Sequence, residues 1–84
     1  MNNNNNNISV STNIYAIVDV VASSMQSMFM SVNDAMAIRN FDYVSKQNPM
    51  VPSVDLELYC IGSVDLSTCA VTPLATRKFI KRGE

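Results

Sequence analysis

Histidine is missing altogether from this 84-residue chain, and with it go the commonest general base and the commonest metal ligand of proteins. Cysteine occurs only at Cys60 and Cys69, too few for a disulfide framework and too isolated for a zinc site. There is no glycine-rich phosphate loop. The longest apolar run, Ile14 to Ala22, is broken by Asp19, so no segment approaches the length of a bilayer span. The N-terminus lacks Lys and Arg, so no signal peptide is read there, and both thiols are expected to stay reduced in a cytosol. These absences argue against an enzyme, a metal or cofactor protein, a membrane protein and a small-molecule binder.

What is present is an uneven charge. The net formal charge is −1, yet four of the six basic residues, Arg77, Lys78, Lys81 and Arg82, fall in the last eight positions. The body before them has only Arg39 and Lys46 against six carboxylates. An acidic body with a basic end is the pattern to explain. So short a chain forms one domain with one modest core, which makes oligomerisation a natural source of added stability.

The clearest local instruction lies in MFMSVNDAMAIRNF, Met28 to Phe41. Asn33 is a good N-cap and Asp34 sits where the helix dipole favours negative charge. Ala37, Ile38, Phe41 and Val44 then recur at spacings of three and four, predicting a helix that ends between Lys46 and Asn48. Before it, Tyr15 to Ala22 reads as a strand, with Ala16, Val18 and Val20 on one face and Tyr15, Ile17, Asp19 and Val21 on the other. Met28 to Val32 reads as a second strand. After it, Pro49 and Pro52 mark a loop, and Val54 to Ser63 alternates as a central strand with Leu56, Leu58 and Cys60 toward the helix. Asp65 to Thr68 is a turn, and Cys69 to Thr72 a short last strand halted by Pro73.

The predicted fold is therefore α+β: an antiparallel sheet of about four strands in the order β-β-α-β-β, with one helix on one face. Residues 1–12, opening with a poly-Asn run, are expected to be disordered. Residues 13–73 form the single domain, and residues 74–84 a basic tail or short helix. One helix covers one face only. Tyr15, Ile17, Val21, Tyr59 and Ile61 are expected on the bare face, as a binding surface or a dimer interface.

Three motifs carry a family resemblance. Phe29, Ser31, Asn33-Asp34, Ala37, Arg39 and Phe41 match F-x-[AS]-x-N-D-x-x-A-x-R-x-F. Tyr15, Ile17, Asp19 and Ala22 match Y-x-[IV]-x-D-x-x-A. Leu58 to Gly62, with Asp65 and Thr68, match L-[YF]-x-[IVL]-G-x-x-D-x-x-T. Over residues 14–73 the chain resembles the small non-structural protein of gokushovirus-type microviruses (Microviridae, Gokushovirinae), bacteriophages with circular single-stranded DNA. The resemblance implies a protein of the host cytoplasm, absent from the mature virion, that binds DNA and assists genome replication or packaging. One position departs from the pattern: Cys69 stands where the family has Gly. If that position is left-handed, either Cys69 bears strain there or the turn is remodelled, which leaves the register of the last hairpin open.

Two functional readings follow. In the first, a non-enzymatic accessory protein binds single-stranded DNA through Arg77, Lys78, Lys81 and Arg82, with Arg39, Tyr15 and Tyr59 as lesser contributors. Phosphate neutralisation would supply the affinity and base stacking would add to it. In the second, the bare sheet face makes a homodimeric assembly or regulatory module that contacts phage or host proteins and never touches DNA. Asn33, Asp34, Gly62 and Asp65 are assigned to caps and turns, and no residue is assigned to catalysis or metal.

Overall fold

The computed structural model describes residues 10–84, so most of the Asn-rich start lies outside the described residues. It has four strands, β1 (Ser11–Asp19), β2 (Ser24–Ser31), β3 (Leu56–Asp65) and β4 (Val71–Arg82), and one α-helix, α1 (Asp34–Gln47). The strands form one antiparallel sheet in the order β2-β1-β3-β4. This is the α+β arrangement expected from the sequence, with α1 packed on one face.

Helix α1 begins as its cap dictates. Asn33 is extended, and its side-chain oxygen accepts from the Met36 amide at 2.9 Å. It ends at Asn48, whose side chain takes up the amides of Met50 and Val51. The buried stripe is Ala37, Phe41 and Ser45, one residue away from the predicted Val44. Ser45 can be buried because its hydroxyl is satisfied within the helix by the Asp42 carbonyl. The core under α1 is Tyr15, Ile17, Ala37, Phe41, Leu56, Leu58 and Cys60, with Ile38, Phe29 and Ile80 at its edge.

That core corrects the reading of β1. Tyr15 and Ile17 face the helix, and Ala16 and Val18 face away from it. The stretch is apolar on both faces, so alternation alone does not fix its phase. Two contacts of Tyr15 do. Its hydroxyl donates to Asp34 Oδ1 at 2.7 Å in the first turn of α1, and its ring stacks on Phe29 at 5.7 Å. Val21 is not on the face at all: Asp19 Oδ1 accepts from the amides of Val21 and Ala22 and folds them into the β1–β2 turn.

β4 is the second correction. Residues 74–82 are neither tail nor helix; they continue the strand along the edge of the sheet. Pro73 is accommodated there because an edge position does not need its missing N–H. The pairing is irregular: Gly62 lies opposite Pro73 and Cys60 opposite Lys78, so Leu74 to Arg77 arch out opposite Ile61 alone. A second bulge at Ile80 follows, with Phe79 opposite Tyr59 and Lys81 opposite Leu58. Gly62 permits the close approach. A Cβ there would lie 2.6 Å from the Thr72 carbonyl oxygen.

In the β3–β4 turn, Asp65 Oδ1 accepts from the Ser67 amide and hydroxyl and from the Thr68 amide. Cys69 closes the turn with φ 65°, the left-handed geometry anticipated for it, and its thiol and that of Cys60 are unpaired. Such a conformation costs a residue with a Cβ about 1–2 kcal/mol, part of which glycine would return as unfolded-state entropy. Cys69→Gly is therefore expected to stabilise the protein by about 0.5–1 kcal/mol, read as a rise of roughly 2–8 °C in Tm. A fall in Tm would contradict this account of the turn.

Candidate functional site

The face of the sheet turned away from α1 has no cover among the described residues. Over the C-terminal half of β1 it holds a groove of about 330 Å³. Ala16, Val18 and Val20 make its apolar floor, Met25 one side, and Glu57, Tyr59 and Arg77 the other. A bulge at Gln26 brings Met25 here. It sets Met25 opposite Val18 while Met28 stays opposite Ala16, so methionines three apart share a face.

Tyr59 is the centre of the groove. The Arg77 guanidinium lies 4.1 Å from its ring centroid, and the Phe79 ring meets it edge-on at 5.7 Å. Its hydroxyl donates to Glu57 Oε1 at 2.6 Å, which holds the Tyr59 pKa above the usual range, with partial burial acting in the same direction. Cation, two rings and a carboxylate thus form one cluster, and Phe79 is 53% exposed. Chemically, the cluster offers planar stacking surface, one anion-seeking group and one hydrogen-bond acceptor.

The basic residues predicted to act together are divided between two faces. Arg77 is on the open face, and Arg82, opposite Glu57, lies on the same side at the end of the ladder. Lys78 points to the helix side, 3.6 Å from Asp34. Lys81 does the same, its ammonium donating to both oxygens of Asp42 at 2.9 and 3.0 Å, a partnership that raises its pKa. The Arg82 guanidinium donates to the Val54 carbonyl. The bulge at Ile80 is the cause, since one extra residue turns Lys81 toward the helix.

A family model described as Phage ORF5 protein matches residues 12–84. The chain belongs to that family. The match includes β4, beyond the residues that carried the resemblance in the sequence. No curated protein and no solved structure matches the chain. Membership makes this a phage protein.

For a member of the Phage ORF5 family, the remaining predicted residues fall as follows. Tyr15 is 0% exposed and lies beneath α1, so it shares no surface with Tyr59 and cannot meet a ligand. Arg39 is exposed on the solvent side of α1, away from the groove. Phe79, Val20 and Met25 were not expected in the site. Phe79 could have been found had T-R-K-F-I been read as a strand, because Arg77 and Phe79 then alternate with Lys78 onto the face that Tyr59 occupies.

Proposed function

We propose that this phage accessory protein binds single-stranded DNA without catalysing a reaction, and that it does so at the Tyr59 groove and not along a basic tail. The observation that carries the reading is Arg77 seated over the Tyr59 ring, with Phe79 beside it, on the uncovered face of a four-stranded sheet. An aromatic platform next to a cation is the chemistry that takes up unpaired bases and their phosphates. In keeping with the sequence resemblance, the host is a bacterium infected by a gokushovirus-type microvirus. The protein acts in its cytoplasm on genome replication or packaging and does not enter the virion.

This reading makes a different demand on salt than a four-charge tail does. Each phosphate neutralised on a single strand contributes about −0.7 to the slope of log K against log salt. With Arg77 and at most Arg82 in reach, the slope is expected to be about −0.7 to −1.4. Removing one stacking ring costs about 1–3 kcal/mol, so Tyr59→Ala is expected to weaken binding of a labelled oligonucleotide roughly 5- to 150-fold. The change Arg39→Ala, on the solvent side of α1, is expected to leave affinity nearly unaltered. Fluorescence anisotropy at two salt concentrations measures all three, and undiminished binding by Tyr59→Ala would remove the groove from consideration.

The second reading, a homodimeric module that meets other proteins and not DNA, draws its support from the opposite end of the same face, which is apolar and uncharged.

A further inference from the structure

Glu57 is the member of the Tyr59 cluster whose bonding capacity is least used. It stands half-buried on the open face, opposite Val18 on one side and Arg82 on the other, and lines the groove. Its Oε1 accepts from the Tyr59 hydroxyl at 2.6 Å. Among the described residues no ion pair reaches it, and Arg82 spends its Nε–H on the Val54 carbonyl. A carboxylate has about four lone-pair sites, so most of its accepting capacity is left for a ligand. Arg77 is in the complementary state. Its guanidinium is engaged by the Tyr59 ring and, among the described residues, by no ion pair. An acceptor-only group and a donor-only group thus border one groove of about 330 Å³, at the small end of the range for ligand sites.

Stacking alone takes any base, since every base has a flat face. A carboxylate discriminates, because the edges of an unpaired base are open to hydrogen bonding. Guanine has two adjacent donors, N1–H and the C2 amino group, that match a carboxylate, and two acceptors, O6 and N7, that match a guanidinium. Cytosine and adenine bring one amino group each. Thymine has a single N–H between two carbonyl oxygens, and both oxygens meet the carboxylate with like partial charge. We propose that Glu57 gives the groove a preference among unpaired bases, guanine first and thymine last, by accepting from the N1–H and amino group of guanine. This deepens the single-strand reading above and rests on it.

Fluorescence anisotropy of the full chain tests it, with labelled strands of about eight nucleotides that are abasic except at one central position, so that only one base can enter the groove. The guanine strand is expected to bind about 10-fold or more tightly than the thymine strand, within the range that a bidentate contact supplies. A hypoxanthine strand, which lacks only the amino group, is expected between them. Glu57→Gln presents an amide that donates as well as accepts, and is expected to bring guanine and thymine within about 2-fold of each other. A merely structural role for Glu57 would weaken both strands together and leave their ratio unchanged. Circular dichroism establishes that the variant is folded, and the hypoxanthine comparison on the wild type does not depend on it. Equal affinity of the wild type for guanine and thymine overturns the preference and leaves single-strand binding in place. So does hypoxanthine bound as tightly as guanine, or a guanine preference that survives in Glu57→Gln. Failure to bind any of the strands overturns both the preference and the reading beneath it.

Discussion

Phe41→Ala is expected to cost about 3–5 kcal/mol, the range for truncating a fully buried phenylalanine. Phe41 is 0% exposed in the middle of α1, packed with Tyr15, Ile17, Leu56 and Leu58 in the single core cluster. Domains of this size hold about 0.05–0.15 kcal/mol of stability per residue, roughly 4–12 kcal/mol here. One substitution therefore removes about a quarter or more of the total and, at the lower end, unfolds most of the population. The helix has no other large buried side chain, its remaining buried positions being Ala37 and Ser45. Urea unfolding followed by circular dichroism gives the value. A loss under 1 kcal/mol would mean that α1 is not seated on the sheet as described.

The second large effect is expected in alkali. Burial, and then the hydrogen bond donated to Asp34, push the Tyr15 hydroxyl from 10 up to about 12; the Asn13 amide, donating to the same oxygen at 3.0 Å, acts in the opposite direction. In the unfolded chain this tyrosine ionises near pH 10. Below that, the hydroxyl is neutral in both states and its full contribution is present. Between pH 10 and about 12 only the unfolded state releases the proton, so stability falls, by about 2–3 kcal/mol across the interval. Above 12 the loss levels off. Tyr59 shifts in the same direction, from its bond to Glu57, but on the open face. Tyr15→Phe separates the two: it is expected to cost about 1–2 kcal/mol at neutral pH and to flatten most of the alkaline decline. Urea midpoints from pH 8 to 12 measure this, and an unchanged slope in Tyr15→Phe would refute the assignment.

How much of this was legible depended on whether each segment carried one period or two compatible ones. Asn33 and the helix behind it were plain, because a cap followed by a stripe admits one reading. Leu56, Leu58 and Cys60 alternate with Glu57 and Tyr59, so β3 was plain too. Tyr15 to Ala22 is apolar on both sides, and the wrong phase put Tyr15 and Ile17 on the open face. Contacts with residues distant in the chain, the Asp34 carboxylate and the Phe29 ring, decide it. β4 was hidden by Pro73, which reads as a stop but lies at an edge. Of the candidate site, Arg77 was named from sequence as one of four principal basic residues and Tyr59 as a lesser contributor. Their meeting depends on the arch before Lys78 and the bulge at Ile80, and a one-residue insertion in a ladder leaves no mark in composition or charge.

The arch of residues 74–77 also bears on how the molecule avoids indefinite growth. A sheet with two open margins invites foreign strands to add on and fibres to extend. Along β4 that invitation is interrupted twice, by the absent N–H of Pro73 and by four residues lifted off the line of the ladder. Strand addition at that rim, which would run on as a filament, is thereby obstructed.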